Sequence, residues 1–308
     1  MTHRSTILGA LLYASLTALA LAQTPEEPAP LTGPYLGQTP PGLVPQVFAP
    51  GLISLDDARE LNAVFSPDMR IFMFTRELDG VFKIHYTYQN REGEWTPPAM
   101  ASLSRTYPGH ADVDMSFAPG GQRLYFISKR PLPGYALETY NLWYADRTRE
   151  GLLPPQPLGP HLNGAPHELY PWAVGDGSLY FTTERADTLG QFDTYRAQYR
   201  DGRFDPPVNL GPAINSEHGE GDVFVDADET MLIHVSNGRP DSLGRGDLYI
   251  SFRQEDGSWS QGQHMGDVIN SSDIDYCPAV TPDGKYFFFS RGDDIYWVDA
   301  QILEQFRP

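Results

Sequence analysis

The feature that most constrains the fold is a turn motif that recurs five times along the chain. Its clearest copy, Thr281-Pro282-Asp283-Gly284, separates two runs of β-forming residues, and a third run follows at 294–298. The counterparts of Asp283 in the other repeats are Asp68, Gly120, Asp176 and Asp228. The spacings are 52, 56, 52 and 55 residues, which is typical of a propeller blade with several short strands. Five turns therefore predict an all-β, five-bladed β-propeller.

The two ends of the chain predict how the ring closes. Segments of the form Leu-Gly-Pro-x-Leu/Ile-Asn join consecutive repeats, as at 158–163 and 210–215. Residues 45–54 have a similar shape but no repeat before them, and the last repeat ends after its third strand at Trp297-Val298. We therefore expect residues 46–49 to supply the outer strand of the last blade, because closure removes the exposed edges of an open sheet.

Two N-terminal segments are expected to lie outside the propeller, which we place at 45–308. Residues 1–22 combine a short basic start with an apolar run that is shorter than the roughly 18 residues of a membrane span, and they end in Ala20-Leu21-Ala22. This pattern is typical of a secretory signal peptide, and it predicts a periplasmic or secreted protein. Residues 23–44 are rich in proline, which lacks the donor that a sheet needs, and they predict an extended linker.

Composition limits the partners. Forty acidic residues against 22 basic ones give a formal net charge of −18, which repels nucleic acid and anionic lipid but admits cationic partners and metal ions. No segment after the signal peptide is apolar enough to be an integral membrane segment. Cys277 is the single thiol, so no disulfide can form within the chain. We expect a monomer.

An acidic residue stands eight positions before every turn anchor, at the start of each inner strand. These acids are Glu60, Asp112, Glu168, Glu220 and Asp275. An arginine ends each second strand on the same rim, at Arg76, Arg130, Arg185, Arg239 and Arg291. Because side chains alternate along a strand, the residues two positions after the acids are expected to line the channel as well, at Asn62, Asp114, Tyr170, Asp222 and Cys277.

This ring of acids and arginines has two interpretations. Each arginine can bridge an acid and tie neighbouring strands and loops together, which is a structural role inherited by every repeat. Alternatively, the acids and arginines contact a ligand at the channel mouth. Five crowded carboxylates then need a compensating charge, and a hard cation such as Ca²⁺ takes oxygen ligands of this kind.

Other residues break the symmetry of the ring. His110, His167 and His218 precede the acids of three consecutive repeats. They predict a site for Zn²⁺ or another transition metal, a general acid or base, or simply exposed loop histidines. Tyr170 and Trp172 follow Glu168 on the same strand, where we expect an aromatic platform for a sugar ring.

The repeats resemble the TolB-type, WD40-like β-propeller family of secreted and periplasmic bacterial proteins. The resemblance is carried by Ser66-Pro67-Asp68, Thr281-Pro282-Asp283-Gly284-Lys285-Tyr286 and the third-strand sequences at 141–144, 247–250 and 294–297. It covers nearly everything after residue 44. It implies the propeller fold and an exported location, whereas a propeller by itself implies no particular activity.

Two functions follow as hypotheses. The first is a non-enzymatic module that binds a protein or oligosaccharide through the acid-and-arginine rim. The second is a glycan-active hydrolase, with Glu168 as general acid and Asp112 or Asp275 as base, because inverting glycosidases use two separated carboxylates. A hydrolase needs one acid free of its arginine in an aromatic-lined pocket, whereas a binding scaffold pairs all five.

Overall fold

The protein is a closed ring of five four-stranded antiparallel sheets. The structure, a computed structural model, describes residues 30–132 and 139–308. In four sheets the strands follow the chain from the axis outwards, whereas the outer strand of the last sheet comes from the N-terminal side. Each inner strand contacts the inner strands of both neighbouring blades. The five-bladed propeller predicted from the turn spacing is confirmed.

The strands occupy equivalent positions in all five blades, which we number 1 to 5 in chain order and list in that order. The inner strands are Glu60–Phe65, Asp112–Phe117, Glu168–Ala173, Gly219–Val225 and Asp275–Val280. The second strands are Ile71–Leu78, Arg123–Ser128, Leu179–Thr183, Met231–Asn237 and Tyr286–Arg291. The third strands are Val81–Tyr88, Asn141–Thr148, Asp193–Ala197, Asp247–Phe252 and Asp294–Asp299. The outer strands are Ala99–Met100, Gln156–Pro157, Val208–Asn209, Gln263–His264 and, from the N-terminal side, Gln46–Val47.

Several short strands and helices are added to the five sheets. The additional strands are Leu31–Thr32 with Glu94–Trp95, Gly151–Leu152 beside the third strand of blade 2, and Tyr199–Arg200 with Arg203–Phe204. The helices are Ser102–Thr106 and Gly266–Ile269, with 3₁₀ turns at Tyr35–Gly37 and Ala300–Phe306. Within the described ranges, no helix combines the length and the apolar character that crossing a membrane requires.

The ring closes as the two chain ends predict. Gln46 pairs with Trp297 and Val47 with Tyr296 in an antiparallel register, and the Phe48 amide donates to the Ile295 carbonyl at 2.8 Å. The Phe48 ring is fully buried against Phe72 of blade 1 and Phe288 of blade 5. The closing strand Gln46–Val47 is therefore held in blade 5 both by hydrogen bonds and by the aromatic core.

The proline-rich segment differs from the expected extended linker. Residues 31–44 pack on the seam between blades 1 and 5, where Tyr35 and Leu36 are buried. The Tyr35 ring lies edge-on to Phe65 and Tyr286, and its hydroxyl donates to the turn anchor Asp283 at 2.5 Å. The buried side chains of Tyr35 and Leu36 thus hold this segment against the propeller. Its prolines exclude regular strands but do not prevent this packing. The signal-peptide prediction and residues 23–29 of the linker lie outside the described residues.

Candidate functional site

The five acids that begin the inner strands lie on one rim of the channel and are all buried, with 0–2 % exposure. Each forms an ion pair with the arginine of its own blade. The shortest nitrogen–oxygen distances are 2.5 Å in blade 1, 2.9 Å in blade 2, 3.9 Å in blade 3, 3.2 Å in blade 4 and 2.7 Å in blade 5. The acid–arginine pairing predicted from the spacing is therefore present in every blade, although the pair in blade 3 is loose.

Each arginine also donates to a backbone carbonyl in the loop that leads into its blade. The accepting residues are Ile53, Leu103, Leu162, Ile214 and Ile269, at 2.8, 2.9, 2.8, 3.1 and 2.7 Å. These are equivalent positions of the interblade loops. We call each unit of acid, arginine and loop carbonyl a staple, because it ties the inner and second strands to the loop from the preceding blade. The geometry favours the structural interpretation of the ring.

Serine hydroxyls complete the staples in three blades. Ser104 donates to Asp112 at 2.8 Å, Ser216 to Glu220 at 2.7 Å and Ser271 to Asp275 at 2.8 Å. The second strand adds a further serine in blades 2 and 4, where Ser128 and Ser236 reach the same carboxylates. A buried carboxylate that accepts several hydrogen bonds keeps its charge at lower cost.

Among the described residues, blades 1 and 3 both lack these hydroxyls, but blade 1 keeps a close ion pair whereas that of blade 3 is loose. Gly164 follows the loop asparagine where Ser216 and Ser271 stand in blades 4 and 5, and Thr183 donates to the His167 carbonyl at 2.8 Å instead of to Glu168. Oε2 of Glu168 and Nε of Arg185 are both buried without a hydrogen-bond partner among the described residues. Burial consequently raises the pKa of Glu168 from 4.5 to about 7, although the Ala165 amide and Arg185 oppose the shift.

The aromatic pair predicted beside Glu168 is split by the fold. Glu168 pairs with Thr183 and Trp172 with Tyr180, three residues apart on the second strand, so Trp172 lies about 10 Å deeper in the channel at about 3.3 Å per residue. Its indole N–H donates to the Val225 carbonyl at 2.8 Å, and its ring packs against Phe224. Tyr170 points towards the channel axis. The expectation of an aromatic platform next to Glu168 is wrong for Trp172, because strand length separates the two side chains.

The three rim histidines have separate surroundings. The carbonyl of His110 accepts from Lys83, the ring of His167 lies between Tyr140 and Phe192, and the amide of His218 donates to Ser216. Among residues 30–132 and 139–308, no three His, Cys, Asp or Glu side chains form a group that could hold a metal ion. Sequence adjacency to the acids therefore does not bring these imidazoles together.

An open, strongly acidic cavity of about 650 Å³ lies on the same rim, between blades 1 and 5. Six carboxylates line it, from Asp56, Asp57, Glu77, Asp79, Asp293 and Asp294. Within the described part of the chain, one cation faces them, Arg59, which lies 3.3 Å from Asp293 and donates to the Tyr276 hydroxyl at 3.2 Å. We call this the acidic cavity. Sequence reasoning missed it, although the Asp-Asp doublets at 56–57 and 293–294 in two rim loops were a usable signal.

The residues predicted to line the channel do meet on the axis. Asn62, Asp114, Tyr170, Asp222 and Cys277, one from each blade, surround a chamber of about 10 Å³, which has room for one water molecule. We call it the axial chamber. It lies one step inside the rim, below the staples.

Comparison with known proteins shows the fold. No protein-family model and no curated protein matches the sequence. An endo-arabinase from Bacteroides thetaiotaomicron VPI-5482 is similar in structure, with 12% identity, 85% of this chain and 97% of that chain covered, and a TM-score of 0.54. The catalytic domain of an α-L-arabinofuranosidase from Coprinopsis cinerea has 12% identity, 84% and 97% coverage and a TM-score of 0.49.

TolB proteins are also among the similar structures, as the repeat motifs predicted. TolB from Acinetobacter baumannii has 13% identity and a TM-score of 0.48, over 78% of this chain and 54% of that chain. This chain therefore matches only about half the length of that TolB. The likeness to the endo-arabinase, at 12% identity, shows a shared fold and nothing about activity.

Proposed function

We propose that this protein is an exported binding module that holds a partner on its acid-rich rim, with the acidic cavity as the contact for the partner's cationic groups. The observation that carries the proposal is the charge of that cavity. Six carboxylates against one guanidinium give a formal charge of −5 around an open space of about 650 Å³. A protein surface that carries Lys and Arg complements this charge, whereas a neutral glycan makes no use of it.

The staples support this proposal by holding the rim loops in place. Loop 55–59 of the acidic cavity leads directly into Glu60, whose carboxylate accepts from the Leu55 amide at 3.2 Å and pairs with Arg76. A contact surface built on fixed loops loses less conformational entropy when a partner binds. The acids and arginines of the ring thus act on the partner indirectly, through the loops that they position.

The hydrolase hypothesis receives less support from the geometry. Glu168 has the raised pKa that a general acid needs, but a glycosidase also requires a second carboxylate that faces the same substrate. Both candidate bases are fully buried: Asp112 bonds to an arginine and two serines, and Asp275 to an arginine and one serine. Both candidate bases are therefore occupied by their staples.

Titration calorimetry of the full chain with an octalysine peptide in about 0.1 M salt tests the proposal. Replacing Asp56, Asp57 and Asp79 by Asn removes three exposed charges of the acidic cavity without touching a staple. We expect about tenfold weaker binding, since each charge contact at an exposed site contributes about 0.5 kcal/mol. The wild-type affinity is expected to fall as salt is raised.

A matched control uses exposed acids away from the rim. Asp201→Asn, Asp228→Asn and Glu255→Gln change the net charge by the same amount, and Asp201 and Asp79 share a left-handed backbone conformation with φ of 51°. This control is expected to bind octalysine within about twofold of wild type, because screening limits charges that lie further away than about 10 Å at 0.1 M salt. Equal losses in both triple variants, or tighter binding of neutral oligosaccharides than of octalysine, would overturn the proposal.

A further inference from the structure

The axial chamber is built by a repeated backbone distortion. In every blade the pairing of the inner and second strands shifts register just after the acid of the staple. At the shift, Asn62, Asp114, Tyr170 and Cys277 adopt left-handed conformations with φ of 51–52°. A non-glycine residue in this region is uncommon and costs energy, and in four blades it turns a side chain towards the axis.

The two carboxylates of the chamber differ in their hydrogen bonds. Asp222 of blade 4 accepts from the Cys277 amide at 2.6 Å, and the Tyr170 hydroxyl and the Cys277 thiol act as further donors that lower its pKa, against the burial that raises it. Asp114 of blade 2 has an Oδ1 atom with no hydrogen-bond partner among the described residues, and its side chain is 4 % exposed. The donors of the chamber therefore converge on Asp222 and leave Asp114 without support for a charge.

Among the residues that the structure describes, no Lys or Arg forms an ion pair with either carboxylate. Besides each other, the titratable groups acting on them are Tyr140, Tyr170, Tyr276 and Cys277, from blades 2, 3 and 5. Burial raises the pKa of each of these groups, so that all four are neutral near pH 7. Asn62 of blade 1 carries no charge, and its Oδ1 accepts from the Met115 amide at 2.9 Å. Burial together with the charge of Asp222 raises the pKa of Asp114 well above its usual value.

We propose that the axial chamber is a proton-binding site, in which Asp114 holds a proton at neutral pH while Asp222 stays ionised, and in which loss of that proton loosens the centre of the ring. Two carboxylates in a chamber the size of one water molecule cannot both be ionised without a compensating positive charge. A proton on Asp114 leaves Asp222 with its three donors. Ionised Asp114 would repel Asp222 across the axis, between two blades that are not neighbours.

The test compares two isosteric substitutions in a Glu168→Gln background, which removes the carboxyl whose pKa burial raises to about 7. Asp114→Asn imitates the protonated acid. Its urea midpoint is expected to stay constant between pH 6 and pH 9, whereas the midpoint of the background protein falls as pH rises. Asp222→Asn takes an acceptor from three donors, so its midpoint is expected to be lower at every pH.

Infrared spectroscopy at pH 7 locates the proton independently of stability. The C=O stretch of a buried protonated carboxyl is expected in the background protein and absent in Asp114→Asn. If Asp222→Asn fails to fold, this comparison alone decides. A band that persists in Asp114→Asn would place the proton elsewhere, and a background spectrum without the band would show that Asp114 is ionised; either result overturns the proposal.

Discussion

Replacing Glu by Gln is expected to change stability in opposite directions in blades 3 and 4. Folded Glu168 keeps its proton up to about pH 7, whereas its ordinary pKa is 4.5. Between these values the unfolded chain binds fewer protons than the folded one, so the free energy of unfolding falls as pH rises, by about 3 kcal/mol in total. Glu168→Gln removes this loss. An amide N–H without an acceptor costs about 1 kcal/mol, which leaves a net gain of about 2 kcal/mol at pH 8.

The same substitution in blade 4 serves as the matched control. Glu220 accepts hydrogen bonds from the amide and hydroxyl of Ser216, from Ser236 and from Arg239. Glu220→Gln leaves the Arg239 guanidinium without its counter-ion at a buried site, which is expected to cost about 3 kcal/mol.

Urea unfolding of wild type and both variants between pH 5 and pH 8 measures the effect. Wild type is expected to lose stability across this range, Glu168→Gln to lose less of it, and Glu220→Gln to be weaker throughout. Destabilisation of similar size in both variants at pH 8 would show that Glu168 is held as an ordinary carboxylate, and the argument from its missing hydroxyls would fail.

Three further predictions concern the same staples and the closure of the ring. Gly164→Ser supplies the missing hydroxyl and is expected to lower the pKa of Glu168, which makes the curve of stability against pH flatter. The added Cβ would lie 3.1 Å from the Pro160 carbonyl oxygen, which causes a small strain. An unchanged curve would contradict this explanation. Tyr35→Ala is expected to cost about 3 kcal/mol in urea unfolding, because a buried aromatic side chain is lost; a cost below about 1 kcal/mol would mean that residues 31–44 are not fastened. Deletion of 45–54 is expected to lower the melting temperature sharply, which differential scanning calorimetry would show, whereas an unchanged temperature would refute closure by the N-terminal strand.

Much of the fold was predictable because the repeat supplies the same signal five times. The turn anchors predict the blades, and the fixed offset of eight residues predicts the acids of the staples. The acid–arginine pairs follow from the antiparallel register, which sets Glu60 opposite Arg76 and Asp275 opposite Arg291. Periodic features of this kind depend on local geometry, which a sequence displays directly.

What was missed depends on contacts between distant segments or on small departures from the repeat. Tyr35 is buried by Phe65 and Tyr286, and no local pattern in the proline-rich segment predicts those contacts. Closeness in sequence predicts Trp172 beside Glu168, but the intervening strand residues separate the two side chains. The weakness of the blade 3 staple was visible as Gly164 in place of serine, but only once the structure showed that this serine bonds to the acid.

The closure of the ring places a condition on how the chain is made. Gln46 pairs with Trp297, so 251 residues separate two strands that must meet before the last blade is complete. At about 5–20 residues per second, synthesis leaves the N-terminal strand without its partner for about 10–50 s. During that interval Phe48 and the edge of Gln46–Val47 lack the partners that cover them in the finished ring, and an uncovered strand edge of this kind can pair with another chain.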